Sequence, residues 1–135
     1  MDFDIDELIK QTQKLKVLYV EDNKDAREST MGLLKNIFSD ITTAVDGRDG
    51  LDKFHESGSY YNLVISDINM PNMNGIEMVT AIKKSRDDVR VCLISAYDSL
   101  EYPIDQNLNI DVRLSKPIDF NDFFISLASI YSINT

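Results

Sequence analysis

Four points along this 135-residue chain carry side chains fit for chemistry, and each closes a short apolar run. Glu21-Asp22 follows the run 16–20, Asp67 follows 62–66, Ser95 ends 89–95, and Lys116-Pro117 follows 111–115. Apart, these are ordinary turn residues. Together they amount to three carboxylates, a hydroxyl and an amine. Two unit charges about 4 Å apart repel by ~4 kcal/mol at an effective dielectric of about 20. Such a cluster calls for a divalent cation. Its donors are all oxygen, with no His or Cys beside them, which suits Mg²⁺ or Mn²⁺. Asp22 and Asp67 are the expected direct ligands, Glu21 a ligand through water, and Asn69 a ligand through its backbone carbonyl. A strand-end Asp beside such a cation and a Lys has the parts for phosphoryl transfer. Asp67 would attack phosphorus and become an acyl phosphate. Lys116 would balance charge on the transferring oxygens, and Ser95 would bond one of them.

These residues meet only if the runs form a parallel sheet. The runs are KVLYV (16–20), ITTAV (41–45), NLVIS (62–66), VRVCLIS (89–95) and DVRLS (111–115). The first, third and fourth are continuous and rich in Val, Ile and Leu, as in strands covered on both faces. Helical periodicity lies between them, over 24–38, 46–57 and 75–85. It is clearest after the last run, where Phe120, Phe123, Phe124, Leu127 and Tyr131 repeat at helical spacing behind Asp119 as N-cap. The segment 98–108 is polar and broken by Pro103, so it predicts a short or loosely held helix. A strand–helix pair repeated five times makes a flavodoxin-like α/β fold, a three-layer sandwich with strand order 2-1-3-4-5. In that order strands 1, 3, 4 and 5 are neighbours, and their carboxyl ends share one edge.

Residues 1–15 stand outside the repeat and read as an N-terminal extension ahead of a domain over 16–135. Asp4 with Glu7 resembles a capping box, Phe3 with Leu8 its hydrophobic staple, and Lys10 and Lys14 suit a helix C-terminal end. So short a helix is expected to pack on the domain or on a partner.

Composition narrows the classes. The net charge is -9, from 14 basic and 23 acidic residues, which argues against direct binding of nucleic acid or of an anionic membrane surface. Hydrophobic residues make up 43%, enough for a core without staples. Cys92 is the single cysteine, and no apolar run reaches the ~18–20 residues of a membrane span. The acidic start is unlike a signal peptide. The expectation is a soluble, cytoplasmic domain.

VLYVEDN (17–23), LVISDINMPNMNG (63–75), LISA (93–96) and LSKP (114–117) resemble the receiver domain of two-component response regulators, over about residues 16–133. The resemblance implies a phosphorylation switch. Asp67 would be phosphorylated by a histidine kinase or histidine phosphotransfer protein. Mg²⁺ would sit at Glu21, Asp22, Asp67 and the Asn69 carbonyl, Lys116 would contact the phosphoryl group, and Ser95 would be the switch hydroxyl. Output would pass from the face of segment 98–108, the fifth strand and the last helix to an effector or to a second copy, as a homodimer. On this reading no output module lies in the chain. Two features depart from the family pattern. Most receivers carry Tyr or Phe three residues before the Lys, where this chain has Arg113, and segment 98–108 is unusually polar. Asn69 and Tyr97 resemble positions that tune dephosphorylation.

Plainer roles compete with these. Glu21-Asp22-Asn23 would also cap a helix, and Asp67 would also serve in a turn before Pro71. Gly75 is expected to supply a positive φ, Cys92 to be a buried thiol, and His55 to lie on a solvated helix face. Three other functions remain open. A phosphatase of the haloacid-dehalogenase type would want Asp-x-Asp on the first strand and a cap insertion. A nucleotide-binding flavodoxin-like module would want glycines where Glu21-Asp22-Asn23 stands. A degenerate receiver would act only as a binding module.

Overall fold

The computed structural model describes residues 5–95 and 107–131. Its elements are α1 (Ile5–Thr12), β1 (Lys16–Val20), α2 (Lys24–Leu34), β2 (Asp40–Ala44), α3 (Gly47–Glu56), β3 (Leu63–Asp67), α4 (Gly75–Ser85), β4 (Arg90–Ser95), β5 (Val112–Ser115) and α5 (Phe120–Ile130). The five strands form one parallel sheet in the order β2-β1-β3-β4-β5. This is the flavodoxin-like sandwich that the sequence pattern predicts. Most of segment 98–108, Tyr97, and Phe3 with Asp4 lie outside the described residues. Among the described residues no helix is long and apolar enough to cross a membrane.

Side-chain alternation sorts the core into two layers. Val17, Tyr19, Ile65, Cys92 and Ile94 face the side holding Leu8, Ile37, Phe38, Phe123 and Leu127. Leu18, Val20, Val64, Val91 and Leu93 face Leu51, Phe54, Met78, Val79 and Ile82. One layer is therefore α1, α2 and α5, and the other is α3 and α4. The central runs are apolar throughout because both of their faces are covered.

Several boundaries shift by one residue, as where β2 runs Asp40–Ala44 against the expected 41–45, and one shifts further. The helix expected over 24–38 ends at Leu34, and backbone turns carry the chain on to Phe38. Leaving the helix lets Ile37 and Phe38 both enter the core, at 0% and 2% exposure. β3 ends at Asp67, the expected strand-end acid, which still pairs in register with Ile94.

α1 packs on the domain. Leu8 is fully buried in the core beneath α2 and α5. The Thr12 hydroxyl donates to the Ile37 carbonyl at 2.8 Å, and the Ser39 hydroxyl donates to the Gln13 carbonyl at 2.7 Å. The helix ends at Thr12, so Lys10 lies in its last turn and Lys14 in the turn beyond. Tertiary contacts, not propensity, hold so short a helix. Leu8→Ala should therefore lower the unfolding free energy by ~2–5 kcal/mol in urea titration, the usual cost of a buried Leu. Ile5→Ala, at a position 51% exposed, should change it by no more than about 0.5 kcal/mol. Equal small effects would mean that α1 is not part of the core.

Candidate functional site

The carboxyl ends of β1, β3 and β5 meet at one edge of the sheet. Glu21 directly follows β1, and its N–H donates to the Ala44 carbonyl at 3.1 Å, so its backbone is fixed by β2. Its carboxylate is buried, at 2% exposure. Oε2 accepts the Asn23 N–H at 3.2 Å. Asn23 then caps α2 by accepting the Ala26 N–H at 2.8 Å, so the helix begins immediately beyond the acids. Asp67 is the last residue of β3 and is 7% exposed. Asp22 is exposed, at the mouth. One carboxylate oxygen from each of Glu21, Asp22 and Asp67 lies within 4.8 Å of the others.

Lys116 joins this cluster from the far edge. Its Nζ donates to Glu21 Oε1 at 2.9 Å and to Asp67 Oδ2 at 3.0 Å. Its N–H donates to the Ser95 carbonyl at 2.9 Å, and the Lys116–Pro117 peptide bond is cis. Ser95, half-buried, pairs with Ser115 one step beyond Ile94, the register partner of Asp67. Asn69 is exposed in the loop that follows Asp67. The five expected side chains thus come from the ends of four strands to one edge, and Asn69 lies in the loop beside it.

The charges respond to this crowding. Burial pulls the Lys116 ammonium down, but its hydrogen bonds to Glu21 and Asp67 outweigh that and hold it above the ordinary lysine value. The Asp22 carboxyl is pushed up, first by partial burial and then by its contact with Glu21. Three carboxylates against one ammonium leave two negative charges unanswered within the cluster. An all-oxygen donor set with that deficit fits a hard divalent cation. Cys92 lies elsewhere, buried in β4, where burial pushes its thiol up to about 12. His55 is exposed on α3.

Several contributors have no clear sequence signal. The Arg27 guanidinium donates to the Glu21 carbonyl at 2.8 Å. Tyr19 is buried two residues before Glu21, and its hydroxyl bonds to Thr30. Burial, opposed by that bond and aided by the Glu21 charge, pushes its phenol up to about 12. Only its shared strand parity with Glu21 could have marked it. Gly75 corrects an expectation: among the described residues the positive-φ positions are Asn72 and Gly58. Gly75 is needed for close approach instead, since a Cβ there would lie 2.2 Å from the Asp67 carbonyl oxygen. Arg113 is exposed on β5, so no unpaired guanidinium is buried there.

Residues 17–128 match the family model of the response regulator receiver domain. The chain belongs to that family. The receiver is 35% identical to the transcriptional regulatory protein PrrA of Mycobacterium tuberculosis over 86 residues, 64% of this chain and 36% of PrrA. It thus spans little more than a third of that curated relative. It is 33% identical over 92 residues to Protein PilG of Pseudomonas aeruginosa, 67% of each chain. Its fold matches the N-terminal domain of an uncharacterized protein from Wolinella succinogenes, with a TM-score of 0.76 and 33% identity, covering 88% of this chain and 95% of that one.

The raised Asp22 carboxyl gives a signed expectation. A folded-state pKa above the unfolded one adds stability below the unfolded pKa, and that stability is lost as pH rises through the folded pKa. Ionised Asp22 should therefore weaken the cation-free receiver at neutral pH. Asp22→Asn should raise its melting temperature there, and the gain should shrink as pH falls through the raised Asp22 pKa and vanish below the ordinary carboxylate range. An unchanged melting temperature at neutral pH would show that the acids do not strain one another.

Proposed function

We propose that this receiver is a phosphorylation-dependent switch whose acceptor is Asp67, charged by a histidine kinase or histidine phosphotransfer protein. The observation that carries the reading is the Lys116 ammonium bonded to both Glu21 and Asp67, with the Asp22 carboxylate beside them. A carboxylate oxygen of Asp67 forms a bond to phosphorus as the phosphorus–nitrogen bond of the donor histidine breaks. The electron pair stays on the imidazole nitrogen, which regains a proton from solvent. Lys116 moves from carboxylate to a phosphoryl oxygen, where its charge is needed once Asp67 has become an acyl phosphate. The Ser95 hydroxyl donates to another phosphoryl oxygen. Glu21, Asp22, Asp67 and the Asn69 carbonyl are the residues that would hold Mg²⁺, or Mn²⁺ in its place. Bound there, the cation would neutralise charge on the transferring oxygens. Hydrolysis of the acyl phosphate returns the carboxylate and resets the switch.

Output then leaves by the face of β5 and α5, toward an effector or a second copy of the chain in the cytoplasm. Arg113 lies exposed on that face, so coupling here does not rest on an aromatic ring turning into the core. The family match favours this reading over a haloacid-dehalogenase phosphatase. The acids after β1 disfavour a phosphate-cradling nucleotide site. Acid pair, acceptor and lysine together favour an active receiver over a degenerate one.

Acetyl phosphate with Mg²⁺ should add a single phosphoryl group, read as one adduct by intact-mass spectrometry. Asp67→Asn should abolish it and Arg113→Ala should leave it in place. Labelling of Asp67→Asn, or no adduct on the wild-type chain, would remove Asp67 as acceptor.

A further inference from the structure

The Asn69 carbonyl is a main-chain group, so no side-chain choice can aim it. Whatever fixes the path of loop 68–74 fixes that oxygen. Ile68 and Met70, 2% and 7% exposed, anchor the loop on either side of Asn69. At its exit the Gly75 N–H donates to the Ile68 carbonyl at 2.7 Å, closing the loop on itself. Its outer turn is tied to α3. The Asn72 amide donates to Asp46 Oδ2 at 2.7 Å, while Asp46 Oδ1 accepts the Asp49 N–H at 2.8 Å and so caps α3. Asn72 holds φ at 67°, a conformation Asn tolerates better than most residues. One residue on, the Gly47 N–H donates to the Met73 carbonyl at 3.1 Å. A Cβ on Gly47 would lie 2.1 Å from that oxygen, so only glycine allows the contact.

We propose that Asp46 and Asn72 are a positioning pair: their bond holds the Asn69 loop against α3 and thereby sets the affinity of the acid cluster for its divalent cation. Neither residue belongs to the cluster. The inference rests on the reading of Glu21, Asp22, Asp67 and Asn69 as the cation site, and it adds a constraint from outside that site.

Mg²⁺ titration by calorimetry on the full chain tests it. Asn72→Gly removes the amide and keeps the positive φ without steric cost. It should weaken Mg²⁺ roughly 10-fold, the low end for groups that orient a metal ligand. The double variant Asp46→Asn with Asn72→Asp reverses the polarity of the bond. The new amide oxygen still accepts from Asp49, and its NH₂ now donates to the new carboxylate. This pair should recover affinity to within about 2-fold. A lower cation-free melting temperature with an unchanged Mg²⁺ dissociation constant would make the bond merely structural and overturn the proposal. So would a loss in Asn72→Gly that the reversed pair fails to restore. If the wild-type chain bound no Mg²⁺, or Asp22→Ala bound it equally well, the reading of the acid cluster itself would fall. Wild-type binding with an unaffected Asn72→Gly would sink only the positioning pair.

Discussion

One ammonium shared between two buried carboxylates organises this receiver. Lys116 touches Glu21 and Asp67 within 3.0 Å, and those acids end strands that are direct neighbours. The lysine itself comes from the sheet edge, with β4 between β3 and β5. Neighbouring strands lie ~4.8 Å apart, so the ends of β3 and β5 are about 10 Å apart, a gap that the Lys116 and Asp67 side chains close together. The Lys116 backbone is tied to the end of β4 by its N–H bond to the Ser95 carbonyl. The order β2-β1-β3-β4-β5 is therefore more than scaffolding, since it decides which strand ends a lysine can bridge.

That arrangement is costly to hold. Breaking a buried ion pair by deleting one partner leaves a bare charge, typically at ~3–5 kcal/mol. Lys116 meets two such partners, so the acids at this edge depend on a residue from the other end of the chain. Close backbone approaches hold the rest in place. Gly75 brings the start of α4 onto the Asp67 carbonyl, and Gly47 brings the start of α3 onto the Met73 carbonyl. The tight packing under the loop and the unbalanced charge above it are two sides of one design. A rigid frame keeps like charges together that would otherwise separate.

Much of this was legible in the residues. Continuous apolar runs ending in Glu21, Asp67 and Ser95 marked strands buried on both faces, and one rule about parallel sheets placed their ends beside the polar run that ends at Lys116. The aromatic spacing of α5 and its Asp119 cap were equally plain. What escaped depends on distance in space rather than in sequence. Asp46 and Asn72 are 26 residues apart and bond only because α3 and loop 68–74 dock. Gly75 read as a turn residue because sequence cannot tell a steric need from a torsional one. The end of α2 was hidden because Ile37 and Phe38 fit the helical period yet reach the core through a turn.

The proposed switch turns on Asp67 exchanging its bond to Lys116 for a bond to a phosphoryl group. A crystal structure of the chain with Mg²⁺ and beryllium fluoride, which mimics the phosphoryl group on a carboxylate, looks at that exchange directly. The expected result is beryllium bonded to a carboxylate oxygen of Asp67, with Lys116 turned from Asp67 to a fluorine and the cation held among Glu21, Asp22 and Asp67. An unmodified Asp67 still bridged to Glu21 by Lys116, or a fluoride adduct on another carboxylate, would contradict it.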